Sequence, residues 1–165
     1  SIIERKNYQY LIKELRFIDN VQLKIVGDTT RESEYFNELQ NIISNYGLEE
    51  KINFYSNIST RLLSQLYSQC DFYISVSKYE GFGMSLANAL QQKKMIITFK
   101  TLTLKNTLKK DGIIYLNDFK EKSLSKLILR NFNNVKIQNK IIRNQREFLT
   151  PIQSADLFIK EIKNA

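Results

Sequence analysis

The residues best placed for chemistry lie in the stretch Ser75–Leu90, where a strand-like pattern passes through a short loop into a helical one. Glu80 opens the loop, and Gly81 and Gly83 lie one residue apart within it. Glycines let a backbone approach a ligand closely, and the unpaired N–H groups at a helix start favour a phosphate. Here those N–H groups belong to Met84, Ser85 and Leu86. With a carboxylate able to bind hydroxyl groups, they predict a site for a phosphorylated, hydroxyl-rich ligand.

A second interpretation of the same loop requires no ligand. Glu80 precedes the first turn of the predicted helix, where a negative charge interacts favourably with the helix dipole. Glycines are also common in exposed loops. The residue types alone support both interpretations about equally, so the choice depends on the rest of the chain.

Short β-branched runs alternate with longer segments of helical period through most of the chain. Gly47 is placed to end one helix, and Ser59 or Thr60 is placed to begin the next by accepting a hydrogen bond from its first turn. The predicted strands are Ser1–Ile3, Val21–Val26, Lys51–Tyr55, Asp71–Val76, Met95–Phe99 and Ile113–Leu116. The predicted helices are Tyr8–Phe17, Glu32–Tyr46, the segment after Thr60, Met84–Gln92, Glu121–Phe132 and two within Asn134–Lys163, broken at Pro151.

This alternation, with continuously apolar strands, predicts an α/β fold: a Rossmann-like parallel sheet with helices on both faces. Ligands of such folds bind at the C-terminal ends of the strands, which is where Gly27 and the Glu80 loop fall. A length of 165 residues corresponds to one domain, so we assign residues 1–165 to a single domain. Because the chain opens on Ser-Ile-Ile and not on Met, we expect it to be part of a longer protein.

The composition excludes several kinds of site. With no histidine, the chain cannot supply a Ser-His-Asp or Cys-His catalytic group or any histidine-containing metal site. The single cysteine, Cys70, excludes an internal disulfide. No apolar run approaches the ~18 residues that a membrane span needs, and no signal-peptide pattern opens the chain.

The net charge of +8 is spread along the chain. Nucleic-acid binding would need lysines and arginines clustered with aromatic residues on one element, so we expect no nucleic-acid partner. Four cations near the C-terminus fall at helical spacing, which leaves open a peripheral contact with an anionic membrane; a solvated helix face is the favoured explanation. They are Lys136, Lys140, Arg143 and Arg146.

The segment Glu80–Asn88 (EGFGMSLAN) resembles the E-x7-E motif of retaining GT-B glycosyltransferases of the GT4 type. Ser1–Asn7 is similar to the strand and lysine turn that open the C-terminal domain of that family, and Leu23–Gly27 to its L-x-I-V-G strand. A further run resembles the family in order and spacing: Gly47-Leu48, Ile52–Phe54, Leu62–Tyr67 and Cys70-Asp71. The resemblance covers nearly the whole chain and implies the donor-binding half of a GT-B enzyme.

The resemblance also implies a role for each matched residue. Lys6 would contact the donor diphosphate, and Glu80 would bind donor-sugar hydroxyls and stabilise the transition state; these are the two implied catalytic residues. Asn88 stands where a second glutamate grips the ribose. The other implied donor-binding residues are Gly27, Asn57, Ile58, Gly81, Phe82, Gly83, Met84, Ser85 and Leu86. Neither a metal nor another cofactor is expected, because GT-B enzymes generally need none.

Several family residues are replaced in this chain. Ser1 stands where an arginine partners the lysine, Ser56 replaces a glycine in the base loop, and Leu102-Thr103 replace a Gly-Gly turn. Asn88 retains hydrogen bonding but gives up the stronger, charge-assisted bonds of a carboxylate. Together these changes indicate a divergent or partly decayed donor pocket.

The expected function is binding of a nucleotide-diphosphate sugar and retaining transfer of a hexosyl unit to a glycan or lipid-linked acceptor. The expected setting is bacterial surface polysaccharide synthesis, in the cytoplasm or at the inner face of the plasma membrane. The acceptor domain would lie outside this chain, so we expect the chain alone to be inactive. The replacements motivate an alternative, a non-catalytic GT-B-like subunit that binds a partner glycosyltransferase or a glycosylated substrate. A sugar-nucleotide epimerase is disfavoured, because such enzymes commonly use histidine.

Overall fold

The computed structural model describes residues 1–79, 84–99 and 113–132. The strands in these residues are β1 (Leu23–Val26), β2 (Ile52–Tyr55), β3 (Phe72–Ser75), β4 (Met95–Phe99) and β5 (Ile113–Leu116). The α-helices are α1 (Tyr8–Leu15), α2 (Ser33–Asn45), α3 (Thr60–Gln69), α4 (Met84–Gln91) and α5 (Ser123–Phe132). Two short 3₁₀ turns, Glu4–Lys6 and Glu49–Lys51, precede α1 and β2. The predicted helices within Asn134–Lys163 lie outside the described residues.

Every strand pairing in the described residues is parallel. β1 pairs with β2, and β4 lies between β3 and β5 in a second ladder. Parallel pairing requires a crossover connection, and here an α-helix follows each of β1, β2 and β3. The predicted α/β class, a Rossmann-like parallel arrangement, is therefore confirmed.

The segment at Ser1–Ile3 is irregular, so the strand predicted there is wrong. Its backbone makes one sheet-like bond, from the Ile2 amide to the Asp28 carbonyl at 2.8 Å, and the chain then turns into the 3₁₀ turn. The same segment reaches the other ladder, because the amide of Lys78 donates to the carbonyl of Arg5 at 3.0 Å. Residues 1–5 thus join the C-terminal ends of the two ladders.

Helices cover both faces of the three-stranded ladder. Successive β-strand residues point to opposite faces. On β4, Ile96 packs with Leu86 and Leu90 of α4, whereas Ile97 packs with Leu11 of α1 and with residues of α5. Both isoleucines are fully buried. The prediction of helices on both faces is confirmed.

The ends of α2 and α3 follow from local sequence. Gly47, at a φ of +60°, donates to the carbonyl of Ser44, and Leu48 donates to that of Ile43, so a Schellman motif ends α2. Ser59 begins α3 by accepting a 3.2 Å hydrogen bond from the Leu62 amide. Both predicted boundary residues are therefore confirmed.

The start of α5 depends on a residue far away in the chain. Glu14, on α1, is 2% exposed and accepts from the amides of Lys122 at 2.6 Å and Ser125 at 2.9 Å. The hydroxyl of Tyr10 accepts from the Leu124 amide at 3.2 Å. Residues of α1 therefore satisfy N–H groups that the first turn of a helix leaves without partners.

Candidate functional site

A small cavity marks the point where the lysine turn, the end of β3 and the start of α4 converge. It measures about 30 Å³ and is lined by Lys6, Tyr8, Leu11, residues 73–77 and Ser85. Such a volume holds about one water molecule, so the cavity by itself is too small for a whole ligand. Lys6 and Ser85, which are far apart in the sequence, thus line the same cavity at the C-terminal edge of the strands.

Lys6 is positioned by a turn that its neighbours close. It ends the 3₁₀ turn, and Asn7 follows in the left-handed conformation with a φ of 57°, which asparagine tolerates better than most residues. The side chain of Lys6 lies beside Ser1. The position at which the family carries an arginine is therefore adjacent to the lysine in space.

The strand end and helix start supply hydroxyls and backbone groups to this region. Ser75 and Ser77 are buried at the end of β3 and are not among the predicted donor-binding residues. Ser85 lies in the first turn of α4, and its carbonyl accepts from the hydroxyl of Tyr67 at 3.3 Å. Leu86 points into the core, so only its backbone remains for a ligand. Asn88 is half-buried one turn further along α4.

The lysine turn is tied to the chain that leaves β3. Besides the backbone bond from Lys78 to Arg5, the Arg5 guanidinium donates to the carbonyl of Tyr79. The ammonium of Lys78 lies 3.7 Å from a carboxylate oxygen of Glu4. Sequence reasoning missed Arg5, because nothing in its local sequence indicates a partner 74 residues away. The predicted residues Glu80, Gly81, Phe82 and Gly83 lie outside the described residues.

The other predicted residues lie after β1 and β2 and do not line the cavity. Gly27 donates to the carbonyl of Tyr55 at 2.9 Å, and a Cβ there would lie 3.1 Å from the carbonyl carbon of Ser1. Close packing against the backbone of Ser1 therefore explains why a glycine occupies this position.

The loop after β2 shows how the chain accommodates a replaced glycine. Asn57 adopts a φ of 51°, whereas Ser56 is not among the residues with positive φ. The serine that replaces the family glycine therefore occupies a conformation open to any residue. Asn57 and Ile58 follow β2 at the same edge of the sheet as Gly27.

A larger cleft of about 420 Å³ lies at the start of α2. Its lining carries four carboxylates against one cation: Glu4, Glu32, Glu34, Glu38 and Arg31, with Ser33 and Tyr35. Like charges repel, so this cleft disfavours a diphosphate. The smaller cavity beside Lys6 is therefore the better candidate for an anionic ligand.

Other kinds of site find little support in the described part of the chain. Residues 1–79, 84–99 and 113–132 contain no group of three or more acidic or cysteine side chains arranged to hold a metal ion. The helices described there are too short or too polar to cross a membrane. Burial raises the pKa of the Cys70 thiol, whose Sγ donates to the Tyr67 carbonyl at 3.3 Å; these features disfavour a nucleophilic thiolate.

Comparison with known proteins decides the family. Residues 1–148 match the family of group 1 glycosyl transferases. The chain belongs to this family. The predicted resemblance to the C-terminal domain of glycosyltransferases is thereby confirmed at the level of the group 1 family, and the GT4 type stays a prediction.

Among curated proteins, this glycosyltransferase domain is 31% identical to the glycogen synthase of Oceanobacillus iheyensis over 91 residues, which are 54% of this chain and 18% of that protein. Among solved structures it is similar to Anabaena HepE in complex with UDP-glucose, with a TM-score of 0.83 and 20% identity. That match covers 99% of this chain and 47% of HepE. The chain thus spans less than half the length of these two relatives.

A further match is the C-terminal domain of the group 1 glycosyl transferase LpcC from Francisella tularensis, with a TM-score of 0.70 and 20% identity. It covers 87% of this chain and 77% of that domain. The sucrose-phosphate synthase of Thermosynechococcus elongatus matches with a TM-score of 0.73 and 17% identity, over 99% of this chain and 44% of that protein. At these identities the structural matches establish the fold.

Proposed function

We propose that this domain binds a nucleotide-diphosphate sugar and supports retaining transfer of its hexosyl unit to a glycan or lipid-linked acceptor. The observation that carries the proposal is the meeting of Lys6 with the end of β3 and the start of α4. The family match supports the reaction class, and the bound UDP-glucose of HepE supports the ligand class.

The chemistry of transfer explains why a lysine and a helix start belong together. The reacting sugar carbon passes through an oxocarbenium-like state while the departing diphosphate gains negative charge. The ammonium of Lys6 and the N–H groups at the start of α4 bind the more negative diphosphate of the transition state more strongly than the diphosphate of the ground state. In this proposal Glu80 binds sugar hydroxyls, and Asn88 contacts the ribose more weakly than a carboxylate would.

The remaining parts of the proposal extend from the family. We place the enzyme in the GT4 type, without a metal or other cofactor, and in bacterial surface polysaccharide synthesis on the cytoplasmic side of the membrane. The acceptor domain lies outside this chain, so the chain alone has no transferase activity. Adding back the missing half should restore transfer from one sugar nucleotide; failure with every sugar nucleotide would refute the enzymatic role.

Calorimetric titration tests the donor site directly. The chain is titrated with UDP, GDP and ADP and with their common hexose derivatives, and the experiment is repeated on Lys6→Ala and Glu80→Ala. One nucleotide family should bind, and Lys6→Ala should weaken it by about tenfold or more, the effect of losing a charge-assisted contact. Lys13→Ala removes an exposed lysine of α1 and should leave affinity within about twofold, as surface substitutions usually do.

Absence of nucleotide binding by the folded domain would contradict this proposal. It would favour the second candidate, a non-catalytic subunit that binds a partner glycosyltransferase or a glycosylated substrate. The observations behind that candidate are the replacements at Ser1 and Asn88, which remove two of the family's charged contacts. Isolation of the full-length protein in a complex with an active glycosyltransferase would then be the decisive measurement.

A further inference from the structure

We propose that Arg5 is a positioning residue of the donor site, which holds the chain leading into Glu80 in register with the turn that bears Lys6. This inference rests on the proposed function and deepens it. It assigns a role to a side chain that neither the motif nor the family match singles out.

Among the contacts of the described residues, three join the lysine turn to Lys78 and Tyr79. One is the backbone bond from the Lys78 amide to the Arg5 carbonyl, and one is the ion pair between Lys78 and Glu4. The third is the bond from the Arg5 guanidinium to the carbonyl of Tyr79. This third bond is made to the carbonyl of Tyr79, the residue that directly precedes Glu80.

The surroundings of Tyr79 give the arginine bond its importance. The side chain of Tyr79 is 75% exposed, so its own burial contributes little to fixing this part of the chain. An arginine presents several N–H donors in one rigid plane, whereas a lysine presents a single mobile ammonium. The guanidinium of Arg5 is therefore suited to hold a carbonyl at a fixed place relative to Lys6.

This arrangement predicts which part of the donor Arg5 affects. Lys6 and the start of α4 face the diphosphate in the proposed function, and they remain in place without the guanidinium. Glu80, which is proposed to bind the sugar, directly follows the carbonyl that Arg5 holds. Loss of Arg5 should therefore reduce the extra affinity that the sugar contributes, while affinity for the nucleoside diphosphate stays the same.

The test compares the affinity of the chain for UDP-glucose with that for UDP, or for the GDP or ADP pair if the wild type selects one of those. Arg5→Ala should lower the ratio of the two affinities by about fivefold, the effect of one lost hydrogen bond, with UDP affinity within about twofold. In the Glu80→Ala background the same change should alter the ratio by less than about twofold, because both changes act through one group. Arg130→Ala, an exposed arginine on α5, is the matched control and should change neither affinity.

Three outcomes would overturn the inference: an equal loss of UDP and UDP-glucose affinity, additive effects of the Arg5 and Glu80 changes on the ratio, or no change in either affinity. Equal loss would identify Arg5 as a direct diphosphate contact, and Arg5→Lys would then recover UDP binding. If Arg5→Ala lowers the melting temperature by more than about 5 °C, Arg5→Lys replaces it, with a smaller fall in the same ratio expected. Wild-type chain that binds no nucleotide at all would instead refute the proposed function.

Discussion

The carboxylate of Glu14 should be among the largest single side-chain contributions to stability in this domain. It is buried on α1 and accepts two backbone N–H groups at the start of α5, at 2.6 and 2.9 Å. Glu14→Ala removes both bonds and leaves two partly enclosed donors without their partner. Each bond to a charged group contributes about 1.5 kcal/mol or more, so the free energy of unfolding should fall by about 3 kcal/mol.

Urea unfolding followed by circular dichroism measures this change. Glu14→Gln keeps one acceptor oxygen in nearly the same shape, so it should lose about half as much as Glu14→Ala. Glu50→Ala, an exposed glutamate in the turn before β2, should change the free energy of unfolding by less than about 0.5 kcal/mol. Hydrogen exchange should locate the effect, with faster exchange at the amides of Lys122 and Ser125. A loss below about 1 kcal/mol for Glu14→Ala, or unchanged exchange there, would refute the reasoning.

Three further predictions concern stability. Gly27→Ala should reduce the free energy of unfolding by about 1–3 kcal/mol in urea unfolding, because its Cβ would meet the Ser1 backbone at 3.1 Å. Gly47→Ala, in open space but at a φ of +60°, should lose about 1 kcal/mol by the same assay, with Gly47→Asn losing less. Burial, then the charge of Glu14, raises the pKa of Tyr10 to about 12. The folded state then keeps its proton longer than the unfolded state, so stability should fall between pH 10 and 12, and Tyr10→Phe should lessen that fall in unfolding measured across this range.

The first and last residues of a helix or strand can be predicted when neighbouring residues in the sequence determine them. Met95–Phe99 and Ile113–Leu116 are strands over the predicted residues, because β-branched runs bounded by polar residues leave little choice of register. The helix predicted from Glu121 begins instead at Ser123, where Glu14, 108 residues from Lys122, caps it. No local window contains that partner.

In the candidate site, too, some features could be predicted from the sequence, and others depend on residues that are distant in the chain. The place of Ser85 follows from the rule that a helix after a parallel strand begins at the C-terminal edge of the sheet, whereas Lys6 follows no strand and is brought to that edge by the bond from Ile2 to Asp28. The role of Arg5 and the packing reason for Gly27 could not be predicted, because each depends on residues distant in sequence. The strand predicted at Ser1–Ile3 failed for a related reason, since its neighbours offer it only one sheet-like bond, from Ile2 to Asp28.

The contacts between the lysine turn and the end of β3 also bear on the order in which the domain matures on the ribosome. Arg5 and Tyr79 are 74 residues apart. At a synthesis rate of about 5–20 residues per second, Tyr79 is added roughly 4–15 s after Arg5. During that interval β1 and β2 can already pair, because Ile52–Tyr55 emerges earlier. The nascent domain should therefore acquire its ladder of β1 and β2 first and its affinity for an anionic ligand only after β3 has emerged.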